Sequence, residues 1–222
     1  MNITGAIFDM DGTLIDSLGF WDILWEHVGV SYRQDPAFRP DPITEKAIRT
    51  LPLAEAMELL HAKTGMGANG AELLCVTDAL IARFYAEEVE LKPGVRAFLE
   101  HLHKQGIPMC VASATARMHL DVVLKKFDLE RYFVAICSCG DGGRGKEFPD
   151  VFIEAQKHLG TARESTWVFE DSITALETAA RAGFPTVGIW DRYGYAPERV
   201  KAVANVYVAP GETLERLIPL IG

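Results

Sequence analysis

The apolar positions change period along the chain. Gly5-Ala6-Ile7-Phe8 is a short continuous apolar run and reads as a strand. From 18 to 90 the pattern turns helical. Trp21, Leu24, Trp25 and Val28 recur at three- and four-residue spacing, as do Leu53, Met57 and Leu60, and a longer helical stretch runs from Ala71 to Glu88. No strand signal interrupts this region. Lys92-Pro93-Gly94 then marks a boundary, with the proline placed to open the next helix. Beyond it the two periods alternate. Residues 95–105 read as helical, Pro108–Ser113 as extended, 116–126 as helical and Val134–Ser138 as extended. Pro149–Leu159 is helical, Thr166–Glu170 extended, Ile173–Ala182 helical, Thr186–Trp190 and Val206–Val208 extended, with a last helix near 211–218.

Short Val/Ile/Phe-rich runs alternating with helices predict a parallel sheet covered on both faces, an α/β Rossmann-like core. The first strand belongs with this second half. The expected organisation is therefore a core of residues 1–17 and 91–222, interrupted by an all-α domain over 18–90. Right-handed crossovers place the carboxyl ends of the strands on one edge, where such folds bind ligands.

Composition narrows the function. The 222 residues are 49% apolar and 24% charged, the balance of a globular protein. A net charge of -9 argues against a nucleic-acid partner. It leaves an anionic substrate open, because one metal ion or one lysine can invert a local field. No basic segment leads into an apolar stretch at the start, and no run approaches the ~18 apolar residues of a membrane span. The expectation is a soluble, cytoplasmic protein, by default a monomer. Cys75, Cys110, Cys137 and Cys139 fit that setting as reduced thiols. Cys137-x-Cys139 has neither a second pair nor a flanking His at zinc-finger spacing, and reads as structural.

The candidate chemistry lies at the strand ends. Asp9-Met10-Asp11-Gly12-Thr13 follows the first strand, and alternation would let Asp9 and Asp11 point the same way. Two like charges side by side call for a cation, or for a nucleophile with an acid/base partner; a turn rich in Asp and Gly is the plainer alternative. The second strand ends in Ser113-Ala114-Thr115, a hydroxyl with N–H groups suited to a phosphate oxygen, or a simple helix N-cap. The third leads to a stretch carrying Lys146, and the fourth ends in Glu170-Asp171-Ser172. Four acids, one lysine and one hydroxyl on one edge are the inventory for phosphoryl transfer with a divalent metal.

Phe8-Asp9-Met10-Asp11-Gly12-Thr13-Leu14, Val111-Ala112-Ser113, Lys146-x-x-Pro149-Asp150 and Phe169-Glu170-Asp171-Ser172, in that order, resemble the haloacid dehalogenase-like hydrolase superfamily, in its branch of helical-cap phosphatases and phosphomutases. The resemblance implies that Asp9 is a nucleophile forming an aspartyl-phosphate, and that Asp11 protonates the leaving oxygen. It implies Mg²⁺ held by Asp9, the backbone carbonyl of Asp11 and Asp171, with Glu170 either a ligand or a partner of the ligands. Ser113 and Lys146 would grip the phosphoryl oxygens, beside Ala114. Dehalogenating members resemble this motif but lack an acid at the position of Asp11, so a phosphorylated small metabolite is the expected substrate.

Three other readings compete with this one. Gly140-Asp141-Gly142-Gly143-Arg144-Gly145-Lys146 superficially matches a P-loop, but Glu147 stands where that motif needs Ser or Thr. A sugar phosphomutase like β-phosphoglucomutase usually carries a His in the first cap helix, near where Trp21 stands, and a basic, Gly-containing cap loop; here that region is Arg49-Thr50-Leu51-Pro52-Leu53. A silent binding protein would be expected to have lost one of the acids or the lysine. Within the cap, Trp21 either faces the pocket or belongs to the helical core, and Arg49 reads as solvated.

Overall fold

A computed structural model of the chain describes residues 1–49, 51–139 and 143–221. The chain divides into two compact units, Met1–Leu18 with Val89–Gly222, and Gly19–Glu88. In the first unit six strands form one sheet: β1 (Gly5–Phe8), β2 (Met109–Ser113), β3 (Phe133–Ser138), β4 (Thr166–Glu170), β5 (Thr186–Ile189) and β6 (Val206–Val208). Their order is β3-β2-β1-β4-β5-β6 and every pairing is parallel. This is the Rossmann-like order, and its direction reverses at β1.

The sheet is buried because its central strands are apolar on both faces. All four residues of β1 and all five of β2 are buried. On one face Ile7, Cys110, Cys137 and Val168 pack against Val151, Phe152 and Ala155 of a helix over Asp150–Leu159. On the other, Phe8 stacks on Phe169 with ring centroids 4.4 Å apart and meets Phe98 edge-on at 6.2 Å.

The helices are α1 (Phe20–Arg33), α2 (Pro42–Ile48), α3 (Leu53–Thr64) and α4 (Gly70–Arg83) in the second unit, then α5 (Val95–Lys104), α6 (Arg117–Lys126), α7 (Asp150–Leu159), α8 (Ile173–Arg181) and α9 (Pro197–Val203) in the first. The second unit contains no strand among its described residues, and its core is Leu24, Trp25, Val28, Ile48, Met57, Leu60 and Leu73. The fold is thus the expected α/β core with an inserted all-α domain.

Some boundaries differ from the sequence reading. The stretch to Glu88 leaves α-geometry after Arg83, and Phe84–Glu88 forms a π turn. Pro93 does not open α5; Gly94, at φ +81°, stands at the N-cap, a conformation only glycine adopts without strain. The last element is a 3₁₀ segment, Leu214–Leu220, because Pro219 removes a donor inside it. Helix α9 has no counterpart in the sequence reading; its seven residues are too few to display a period.

Candidate active site

Parallel strands bring four carboxyl ends to one edge, and β1 and β4 are neighbours in register, Phe8 opposite Phe169. The residues that follow are therefore adjacent: Asp9 after β1, Glu170 and Asp171 at the end of β4. The backbone N–H of Asp9 donates to the carbonyl of Phe169 at 3.0 Å, which extends the pairing one step beyond the strand. Oxygens of Asp9, Glu170 and Asp171 all lie within 4.8 Å of one another, and all three residues are buried, Glu170 completely.

Lys146 enters this group from the segment before α7. Its Nζ lies 2.6 Å from Asp9 Oδ1 and 2.5 Å from Glu170 Oε1. The other Glu170 oxygen accepts the N–H of Ser172 at 3.0 Å. One ammonium faces three acids, and the imbalance registers in their proton affinities. Burial, then the charge of Glu170, pushes the Asp9 carboxyl up to about 8, with Asp11 adding and Lys146 opposing. Burial and the charges of Glu170 and Asp9 hold Asp171 well above the ordinary carboxylate range. Burial alone would lower Lys146, but the two facing carboxylates outweigh it and keep it above the usual lysine range. A buried, all-oxygen donor set with surplus negative charge fits a hard divalent cation.

Strand geometry ends at Phe8, so Asp11 lies in the turn that follows β1, where its charge still acts on Asp9. Ser17 Oγ donates to Asp11 Oδ1 at 2.6 Å and Thr115 Oγ1 to Asp11 Oδ2 at 2.7 Å. The side chain is held by two hydroxyls rather than within the three-acid group. Gly12 makes this turn possible. Its φ is +73°, and a Cβ there would stand 2.8 Å from Asp171 Cγ.

Ser113 is buried at the end of β2, and its Oγ accepts the N–H of Thr115 at 3.1 Å. It is not the N-cap of α6, a position held by Ala116. Ala114 beside it is exposed. The structure thus gathers Asp9, Lys146, Glu170 and Asp171 directly and holds Asp11 and Ser113 through Thr115, which bonds both.

Sequence reasoning assigned no role to Thr115 or Ser17, although Thr115 stands within the quoted Ser113-Ala114-Thr115. It also missed Lys92 and Asp191. Lys92 Nζ donates to the carbonyl of Gly12 at 2.6 Å and to Asp191 Oδ2 at 2.7 Å, tying the turn after β1 to the segment after β5. Lys92 and Asp191 are 99 residues apart, and no local pattern links them.

Lys146 belongs to no P-loop: it precedes α7 by four positions and pairs with acids. Gly140, Asp141 and Gly142 of that stretch, and Thr50 of the cap loop, lie outside the described residues. In the helical unit Trp21 is half-buried, its ring 5.7 Å from that of Trp25. Arg49 is not solvated as expected. Its guanidinium lies 5.6 Å from the Trp21 ring and pairs with Glu45 at 2.5 Å, its side chain only 12% exposed.

Residues 3–183 match the family model described as haloacid dehalogenase-like hydrolase. The phosphorylated carbohydrates phosphatase of Thermotoga maritima is 27% identical over 226 residues, covering 96% of this chain and 97% of that protein. Hexitol phosphatase B of Escherichia coli is 31% identical over 177 residues, 78% of each. The crystal structure of CbbY from Rhodobacter sphaeroides with xylulose-(1,5)bisphosphate shares the fold, with a TM-score of 0.77 at 20% identity over 92% of this chain and 93% of that one. The chain belongs to the haloacid dehalogenase-like hydrolases, among relatives that are named phosphatases.

Proposed function

We propose that this enzyme is a Mg²⁺-dependent phosphatase that hydrolyses a small phosphomonoester through an aspartyl-phosphate on Asp9. The observation that carries the reading is the buried Asp9–Lys146 pair beside Asp171, with the Asp11 carboxylate held by two hydroxyls at the same edge. Asp9 attacks phosphorus, and the bond to the ester oxygen breaks while Asp11 delivers a proton to that oxygen. Water then attacks the aspartyl-phosphate. Asp11 takes its proton, and inorganic phosphate leaves. Lys146 and Ser113 hold the phosphoryl oxygens, with Ala114 lining their side of the site. Asp9, Asp171 and the Asp11 backbone carbonyl, with Glu170, would hold Mg²⁺, which when bound neutralises charge on the phosphoryl group.

The helical insertion, 18–90, serves as the cap that selects the substrate, with Trp21 as its candidate contact. The named relatives support a phosphorylated carbohydrate or polyol. The absence of a His at Trp21 favours hydrolysis over a phosphomutase reaction. A soluble, cytoplasmic monomer suits such an enzyme, and no described helix is long and apolar enough to cross a membrane.

The test is phosphate release from a panel of sugar, polyol and nucleoside monophosphates with Mg²⁺, beside EDTA and Asp9→Asn. Release that needs the metal and Asp9 supports the reading. Interconversion of hexose 1- and 6-phosphates faster than phosphate release would replace it with the mutase.

A further inference from the structure

Cys137 lies on β3 with its side chain on the sheet face covered by α7, in the same cluster as Cys110. Glu154 and His158 stand four apart on α7, so they share one side of that helix. The Cys137 Sγ, a Glu154 carboxylate oxygen and a His158 ring nitrogen all lie within 4.8 Å of one another. Sulfur, oxygen and nitrogen donors at this separation are what a tetrahedral Zn²⁺ gathers with arms of about 2.0–2.3 Å, once the two exposed side chains close by rotamer adjustment.

We propose that Cys137, Glu154 and His158 form a second metal site, for a borderline divalent cation such as Zn²⁺, separate from the carboxylate group that would hold Mg²⁺. The two sites differ in chemistry. The first offers only hard oxygens, the second a thiol and an imidazole, which select later transition metals. Charge also closes: a thiolate, a carboxylate and a neutral imidazole balance a divalent cation. The Cys137 S–H proton leaves to solvent on binding.

Cys110 Sγ lies 3.8 Å from Cys137 Sγ on the same sheet face. A bound cation would join β3 to α7, the two elements flanking the segment that carries Lys146. The linear sequence reads Cys137 as structural because no His flanks it at finger spacing; the fold brings one from α7.

Co²⁺ titration of the Mg²⁺-saturated full chain tests this, read by thiolate-to-cobalt charge-transfer absorption in the near ultraviolet. Carboxylates at the first site cannot produce that band. The parent should show it, and Zn²⁺ should bleach it. It should vanish in Cys137→Ser and persist in Asp171→Asn. His158→Ala should weaken Co²⁺ binding by about tenfold or more, and because His158 is exposed this variant reports even if Cys137→Ser misfolds. No band in the parent, a band that survives Cys137→Ser, an unweakened His158→Ala or loss in Asp171→Asn overturns the proposal.

Discussion

Replacing Lys146 with Met should damage the metal-free protein more at high pH than at low. The side chain keeps its approximate length and apolar stem but loses the ammonium that sits 2.6 Å from Asp9 and 2.5 Å from Glu170. Three buried acids then face each other without the ammonium that pairs with Asp9 and Glu170. Removing one partner of a buried ion pair costs about 3–5 kcal/mol, or roughly two to four powers of ten in the unfolding equilibrium. That figure applies where the acids are ionised. Asp9 is already pushed up to about 8, and loss of Lys146 takes away a charge that lowers it. At pH 5.5 Asp9 and Asp171, both raised by burial, can take up protons in place of the missing cation, so the deficit should shrink there. At pH 8.5 it should be larger, reaching its full size only above the variant's own, higher Asp9 value. Urea unfolding of parent and variant in EDTA at both pH values measures this, and Mg²⁺ at pH 8.5 should restore part of the variant's deficit. In the phosphatase assay, loss of a charge aimed at the transferring group should lower kcat by about 10²–10³. A variant within about 1 kcal/mol of the parent at pH 8.5, with no pH dependence, would refute the electrostatic account.

Three further outcomes follow from the same geometry. Asp9 is held at about 8 against an ordinary 3.8, so its native state keeps a proton that the unfolded chain releases. That contribution is complete below 3.8 and is lost as pH rises through about 8. The Tm of the metal-free protein should therefore fall between pH 5.5 and 8.5, while the rise in Tm on adding Mg²⁺ should grow, both read by differential scanning fluorimetry. Gly12→Ala forces a Cβ to φ +73° and to 2.8 Å from Asp171, and should cost about 1–3 kcal/mol in denaturant unfolding and weaken Mg²⁺ binding in calorimetry. Asp11→Asn should lower kcat by about 10²–10⁴ for an alkyl phosphate but much less for p-nitrophenyl phosphate, whose phenolate leaves without a proton. Equal losses for both esters would remove Asp11 from the role of acid.

Periodicity and the rule of parallel sheets made the architecture legible from the chain alone. Val/Ile/Phe runs separated by helices can bury themselves only between two layers, and the crossovers then bring the strand ends to one edge. Asp9, Ser113, Glu170 and Asp171 were legible as neighbours because each directly follows or ends such a run. The helical period of 18–90 was legible for the same reason, whereas α9 was too short and the 3₁₀ end too interrupted by Pro219 to carry a period.

Which side chains meet depends on the folded packing. Asp11 leaves strand geometry and turns to Ser17 and Thr115, the latter 104 positions away. Lys146 lies in the segment between β3 and α7, and its choice of Asp9 and Glu170 depends on how that segment returns to the sheet. Lys92 finds Gly12 and Asp191 across the edge, and Cys137 meets Glu154 and His158 because α7 packs on β3. These contacts join elements far apart in the chain. They follow from helix packing and strand register, which depend on the whole core and leave no local period in the sequence.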